Sequence, residues 1–100
     1  MTRTIRFDPE AADGIAWFRR YYRDTFPEGA SSAADRLQAI LSLLVDQPEM
    51  GAPYPDRPNV RLFVIPKTPF SLAYLVTDDA IVVIDLLDQR SRRAKAIHPQ

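Results

Sequence analysis

Apolar and polar residues alternate at the start of the chain and then recur at helical spacing. Between Thr4 and Phe7 the alternation places Ile5 and Phe7 on one side, which predicts a first β-strand. The tripeptide Asp8-Pro9-Glu10 is a strong helix start, because Asp caps helices and Pro suits the first helical position. The apolar stripe that follows is Ala11, Ile15, Phe18 and Tyr22, widened by Trp17 and Tyr21. We therefore expect an amphipathic helix after the strand.

A second helical pattern follows a break at Phe26-Pro27-Glu28-Gly29. Ser31 or Ser32 is expected to cap this helix, because a serine hydroxyl accepts a hydrogen bond from the first free amides. Pro48 disfavours helical geometry in the residue before it, so the helix should end near Gln47. Its apolar stripe is Ala34, Leu37, Leu41 and Leu44, reinforced by Ile40 and Val45. Two helices joined by a short loop predict an α-helical hairpin.

Three short apolar segments separated by turn residues occupy the second half of the chain. They lie at residues 60–65, 70–76 and 80–87, and the turns are Pro66-Lys67-Thr68-Pro69 and Thr77-Asp78-Asp79. Sequential strands with short turns form an antiparallel meander. Residues 81–87 are almost continuously apolar, which indicates a central strand covered on both faces. Residues 48–58 hold four of the nine prolines and are expected to be a loop.

These elements predict the fold class α+β. An N-terminal strand is followed by an α-helical hairpin and then by a three-stranded antiparallel meander. The hairpin is expected to pack on one face of the sheet, because each element must bury its apolar side. Phe70, Leu72 and Tyr74 share one face of their strand, so we expect the Tyr74 ring in the core.

Length and composition limit the classes of protein. One hundred residues make one domain, residues 1–100, with a basic tail at 89–100 that we expect to be flexible. The absence of cysteine excludes disulfides and thiolate metal sites, and we expect neither a metal nor a cofactor. The chain shows no signal-peptide pattern and no apolar run long enough for a bilayer, so we expect a cytoplasmic protein without membrane contact. A net charge of zero is unusual for a dedicated nucleic-acid binder.

The order and spacing of several short motifs resemble a known family. The motifs are Ala11-Ala12-Asp13 ahead of Trp17, then Leu37, Pro48-x-x-Gly51, Val60-Arg61, Pro69-Phe70, Leu72-Ala73-Tyr74-Leu75-Val76, and Ile84 leading into Asp88-Gln89-Arg90-Ser91. In this order they resemble the RelE/ParE superfamily of bacterial toxins from type II toxin–antitoxin systems, often called plasmid stabilisation proteins. The likeness covers nearly the whole chain. It implies a β-α-α-β-β-β fold and a toxin that a cognate antitoxin protein neutralises.

The resemblance leaves two targets open. RelE-like members cleave mRNA on the ribosome, whereas ParE-like members poison DNA gyrase and are not known to need nuclease residues. For an mRNA endoribonuclease the charge-stabilising candidates are Arg61, Lys67 and Arg90. His98 would be the candidate acid or base, although a residue this near the chain end is usually disordered. Ser71 stands where the RelE pattern has an Arg, and a C-terminal Tyr is missing.

These departures favour a ParE-like toxin that inhibits DNA gyrase and is not an enzyme. Asp88 strengthens this preference, because its negative charge beside Arg90 would hinder the approach of a phosphate. A ribosome-dependent mRNA endoribonuclease is the alternative. A non-toxic relative that only binds the antitoxin is the third possibility.

Charged residues along the last strands and the tail are the candidates for partner contact. They are Arg61, Asp85, Asp88, Arg90, Arg92 and Arg93. Arg61 and Arg90 have a second interpretation, in which each pairs with Asp85 or Asp88 of its own chain. Asp85 interrupts an apolar strand, where a charge costs free energy unless it is paired or at an edge, so we expect it to meet an Arg or the antitoxin.

Overall fold

The computed structural model of the protein describes residues 3–89. Its helices are α1 (Ala12–Arg20) and α2 (Ala30–Asp46), and its strands are β1 (Thr4–Phe7), β2 (Ala52–Pro53), β3 (Val60–Val64), β4 (Phe70–Val76) and β5 (Ala80–Asp88). Single 3₁₀ turns precede both helices, and a π-helical turn at Tyr21–Thr25 extends α1. The predicted α+β class and the predicted order of elements are confirmed, with β2 as an addition.

The strands form one five-stranded sheet in the order β1-β5-β4-β3-β2. Strands β3, β4 and β5 make the predicted antiparallel meander. Strand β1 pairs in parallel with β5, which makes β5 an inner strand, as its continuous apolar sequence indicated. At the other edge β2 pairs with β3 through two residues, Ala52 and Pro53. The prediction that residues 48–58 are entirely loop is therefore wrong at this point, and Pro53 is tolerated because an edge strand needs no outward donor.

Both helices pack on one face of the sheet, which we call the helical face. Its core combines Ala11, Phe18 and Tyr22 with Ala33, Ile40, Leu41 and Leu44 of α2 and with Phe70, Leu72, Tyr74, Ile81, Val83 and Leu86 of the sheet. The opposite face, which we call the back face, carries a smaller cluster of Val60, Ala73, Ala80, Val82 and Ile84. The sheet is thus apolar on both faces, and the predicted core position of Tyr74 is confirmed.

The first helical segment starts as the sequence predicts and the second does not. The Asp8 carboxylate accepts a hydrogen bond from the amide of Glu10 at 2.8 Å, and Pro9 occupies the first turn. Ser31 and Ser32, in contrast, lie inside α2, whose cap position is Gly29 and which has no side-chain cap. The reason is local: the 3₁₀ turn at Pro27–Gly29 runs directly into α2, so the helix begins before the serines. The predicted apolar stripe is confirmed at Leu37, Ile40, Leu41, Leu44 and Val45, but at its start Ala33 is buried and Ala34 is exposed.

Helix α1 packs tightly against strand β5 at Gly14. A Cβ atom there would lie 2.0 Å from Oδ1 of Asp85 and 2.6 Å from the carbonyl oxygen of Leu86. Across from this point the pairing of β4 with β5 shifts by one residue, from Ala73–Asp85 to Tyr74–Val83. Such a bulge bends a strand and redirects its side chains. Gly14 is therefore needed for the packing of the helix on the irregular part of β5.

Candidate functional site

A cluster of polar contacts joins the loop after α2 to the sheet. The hydroxyl of Tyr74 donates to the carbonyl of Pro48 at 2.8 Å and accepts from the amide of Gly51 at 2.9 Å. Nη1 of Arg61 donates to the carbonyls of Gly51 at 2.6 Å and of Glu49 at 3.2 Å. Two neighbouring side chains of β3 and β4 therefore hold residues 48–51, which we call the 48–51 loop.

Steric and electrostatic features reinforce this attachment. A Cβ atom at Gly51 would lie 2.6 Å from the hydroxyl oxygen of Tyr74 and 2.9 Å from the carbonyl oxygen of Leu62, so a larger residue does not fit. Burial raises the pKa of the Tyr74 phenol above its ordinary value, although the Gly51 hydrogen bond and the Arg61 charge oppose the shift. The phenol is accordingly neutral at physiological pH and is able to donate its proton to the loop carbonyl.

Arg61 lies on the first strand of the meander, as expected, but its side chain does not pair with an aspartate of β5. It lies opposite Tyr74 in the β3–β4 pairing, whereas Asp88 lies opposite Phe70 at the far end of β4. Its guanidinium binds the carbonyls of the 48–51 loop, so the interpretation that Arg61 pairs with Asp85 or Asp88 is wrong. A side chain that bonds to backbone carbonyls keeps its charge and stays partly exposed, so a contact with a partner is still compatible with its position.

The candidate nuclease residues are not brought together among residues 3–89. Arg61 sits near the start of β3, and Lys67 lies beyond its other end, in an exposed turn where its φ is 62°. Ser71, at the position of the RelE-type Arg, is buried, and its hydroxyl accepts a hydrogen bond from Nε2 of Gln89 at 2.6 Å. The other nuclease candidates, Arg90 and His98, lie outside the described residues, as do the partner-contact candidates Arg92 and Arg93.

The carboxylate of Asp88 is bound to α1. Asp88 is only 6% exposed, and its Oδ2 accepts a hydrogen bond from Nε1 of Trp17 at 2.9 Å. The guanidinium of Arg20 lies 5.1 Å from the centre of the Trp17 ring, within cation–π range. Asp85 is half-buried, and its Oδ1 accepts from the amide of Leu86 at 2.8 Å. Both carboxylates thus have a role inside the fold, and Asp88 offers little surface to a partner.

Exposed apolar side chains mark the surfaces on which a partner would gain most by contact. Val64 is 55% exposed, Phe7 50%, and Phe26 and Met50 44% each. Met50 borders a shallow depression of about 360 Å³ beside the 48–51 loop, lined also by Gln47, Pro48 and Glu49. Among residues 3–89 there is no group of His, Asp or Glu suited to hold a metal ion. In the same range, each helix is too short or too polar to cross a membrane.

The sequence analysis assigned no role to Gly14 and no chemical role to Gly51, and it placed the Tyr74 ring in the core without a role for its hydroxyl. Gly14 and Gly51 are needed because another atom occupies the space of a side chain, and Tyr74 is needed for its hydroxyl as well as its ring. The signal for the 48–51 loop was present in the sequence as the motif Pro48-x-x-Gly51 followed by Arg61. The motif carried no indication of its chemistry, because the partners of these residues are backbone atoms.

Comparison with known proteins gives a family and a fold. A family model for the "ParE toxin of type II toxin-antitoxin system, parDE" matches residues 5–93. A solved structure of the chromosomal ParDE toxin–antitoxin system from P. aeruginosa is similar over 84% of this chain and 92% of that chain, with a TM-score of 0.63 and 23% identity. At that identity the likeness shows the fold alone. No curated protein matches the sequence significantly.

Proposed function

Because the chain belongs to the ParE toxin family of type II toxin–antitoxin systems, we propose that it inhibits DNA gyrase and is neutralised by a cognate antitoxin. The family match over residues 5–93 carries this proposal. The match confirms the resemblance to the RelE/ParE superfamily and the closer resemblance to its ParE-like members. Gyrase acts on the chromosome, so the proposal also places the protein in the bacterial cytoplasm.

The arrangement of the candidate cations supports inhibition by binding rather than cleavage. Attack by a ribose 2′-hydroxyl needs a base, an acid and cations that converge on one phosphate. Arg61 and Lys67 lie at opposite ends of β3, and Arg61 is already engaged by two loop carbonyls. The buried Ser71 hydroxyl offers no positive charge at the third position. A toxin that acts by occupying a surface of its target needs no such convergence.

Neutralisation by an antitoxin is supported by the apolar surface that the fold leaves open. Phe7 of β1 and Val64 of β3 are both about half exposed, and covering such apolar side chains favours association. Arg61 and Asp85 are partly exposed at the sheet and stay candidate contacts, whereas burial restricts Asp88. Arg90, Arg92 and Arg93 would add charge contacts with an acidic partner segment.

A supercoiling assay tests the target. Purified toxin should inhibit negative supercoiling by gyrase in a concentration-dependent way, and the protein encoded by the neighbouring gene should restore it. A ribosome-dependent mRNA cleavage assay with the same preparation serves as the control. Full supercoiling at high toxin concentration together with mRNA cleavage would identify the ribonuclease instead. Folded protein without effect in either assay, and harmless on overexpression, would indicate a non-toxic relative.

A further inference from the structure

The 48–51 loop is held more firmly than the end of a helix requires. Helix α2 already ends at Gln47, whose amide donates to the carbonyl of Leu43 at 2.8 Å, and the amide of Met50 then donates to the carbonyl of Gln47 at 3.2 Å. The loop is nevertheless fixed further by its hydrogen bonds with the side chains of Tyr74 and Arg61. Loops that a rigid scaffold positions in this way carry a disproportionate share of binding residues. The loop therefore presents its outward side chains in a fixed arrangement.

The exposed side of this loop combines an apolar side chain with two acids. Met50 is 44% exposed and borders the shallow depression. Asp46, at the end of α2, and Glu49 are also exposed, and neither forms an ion pair among residues 3–89. The guanidinium of Arg61 donates to backbone carbonyls of the loop and not to either carboxylate. We call Asp46, Glu49 and Met50 the acidic–apolar patch.

We infer that the acidic–apolar patch is the surface with which the toxin contacts a basic surface of gyrase. This inference rests on the proposed function, since it is gyrase that supplies the basic surface. Gyrase acts on DNA, and proteins that bind DNA neutralise its phosphates with Lys and Arg side chains. The carboxylates of Asp46 and Glu49 are attracted to such a surface, and complementary charges steer association and fix the orientation of the partners.

Met50 supplies the apolar part of this contact. Its unbranched, polarizable side chain adapts to the shape of a partner, and methionine is enriched at protein interfaces. Covering its exposed part removes apolar surface from water, which favours association. Because Tyr74 and Arg61 fix the loop before binding, less conformational freedom is lost when the complex forms. A pre-organised loop of this kind suits an inhibitor that acts by occupying a surface of its target.

The charge of the patch argues against the other possible occupants. The antitoxin segment that would pair with the basic residues of the tail is acidic, so Asp46 and Glu49 would repel it. A symmetric dimer through this patch would bring the same acids of two copies together. Like charges placed opposite each other at an interface oppose association. A basic surface is therefore the partner that the patch favours.

Truncation and charge reversal within the patch test the inference in the supercoiling assay. We expect Met50→Ala and Glu49→Lys each to raise the toxin concentration for half-maximal inhibition about tenfold, which corresponds to about 1.4 kcal/mol. Asp35→Lys reverses an exposed acid elsewhere on α2 and changes the net charge equally, so it is the matched control and should stay within about twofold of the wild type. Binding of the three variants to the protein encoded by the neighbouring gene, measured by titration calorimetry, should equal that of the wild type.

The outcomes separate this inference from the proposed function. A wild-type toxin that leaves supercoiling intact overturns both. If the wild type inhibits gyrase and either Met50→Ala or Glu49→Lys inhibits equally well, the inference is overturned while the function stands. An equal loss of inhibition in Asp35→Lys and Glu49→Lys would show that net charge acts instead of the patch, and would also overturn it. Weaker binding of the patch variants to the neighbouring-gene protein, with inhibition of gyrase unchanged, would overturn it in favour of the antitoxin.

Methyl NMR of the wild-type toxin tests the contact without relying on a folded variant. The chain has two methionines, Met1 and Met50, so labelling of the methionine methyl groups gives the patch a signal of its own. We expect the Met50 signal to move to a new position when gyrase is added at a ratio that inhibits supercoiling. An unchanged Met50 signal under these conditions overturns the inference.

Discussion

At the scale of single residues, Gly14 shows how the absence of a side chain allows a helix to pack closely on a sheet. In Gly14→Ala the new methyl group would overlap Oδ1 of Asp85 and the backbone of Leu86, at 2.0 to 2.8 Å. Alanine improves helix propensity by up to about 1 kcal/mol, but overpacking typically costs about 1–3 kcal/mol. Because two of the overlapped atoms are backbone atoms, we expect a net loss in the free energy of unfolding of about 1–2 kcal/mol. Urea denaturation measures this change.

A control for Gly14 is available on the exposed side of the same helix. Ala16→Gly changes helix propensity alone and should cost about 1 kcal/mol or less. If Gly14→Ala instead stabilised the protein, α1 would be free to move away from β5. That result would contradict the tight contact between the helix and Leu86.

The raised pKa of Tyr74 predicts how the free energy of unfolding depends on pH. Burial raises the pKa of its phenol above the ordinary value of 10.0, so folding favours the neutral form. A raised pKa contributes stability that is fully present below the unfolded value and is lost as the pH rises through the folded value. The free energy of unfolding should therefore fall above about pH 10 in the wild type and fall less in Tyr74→Phe.

The same substitution has a cost at neutral pH. Tyr74→Phe leaves the Gly51 amide and the Pro48 carbonyl without their partner, which should cost about 1–3 kcal/mol at pH 7. Equal alkaline slopes for the wild type and Tyr74→Phe would show that the phenol is not linked to folding in this range.

At the scale of elements, the sequence predicted what local chemistry determines. The start of the first helical segment at Asp8 and the end of α2 near Gln47 follow from capping and from proline, and both are confirmed. The parallel pairing of β1 with β5 joins residues more than 70 positions apart, so no local pattern indicates it. Strand β2 was missed because two residues, one of them Pro53, show no alternation.

The candidate site was less predictable than the elements for a related reason. The residue types were visible, and the superfamily resemblance gave Arg61 a place in the pattern. Its actual partners are the carbonyls of Glu49 and Gly51, and every residue has a carbonyl whatever its side chain. Charge pairing with Asp85 or Asp88 was one of two interpretations of the side chain, and the strand register places Arg61 opposite Tyr74 instead.

The 48–51 loop gives a prediction at this scale. Arg61→Ala removes two hydrogen bonds to loop carbonyls, each contributing about 0.5–1.5 kcal/mol, while Tyr74 continues to hold the loop. We expect the Gly51 amide to exchange about 5- to 150-fold faster than in the wild type, which corresponds to about 1–3 kcal/mol. Amide hydrogen exchange followed by NMR measures the rate at this residue. The amide of Ile65, which donates to Phe70, serves as an internal control and should not change. Unchanged exchange at Gly51 would mean that the phenol alone fixes the loop.

At the scale of the whole molecule, Lys67 separates inhibition from cleavage. Its side chain is exposed and its φ of 62° favours glycine, so Lys67→Gly should change the free energy of unfolding by no more than about 1 kcal/mol. An inhibitor of gyrase should keep its toxicity in this variant, whereas a ribonuclease that uses Lys67 to stabilise charge should lose cleavage about 100-fold. Growth inhibition after induction measures toxicity, and denaturation of the purified variant measures its free energy of unfolding. Lys67→Arg is the matched control, because it restores the charge in the same turn. Toxicity that is lost in the glycine variant and kept in the arginine variant, at unchanged stability, would contradict the binding mechanism and favour the nuclease.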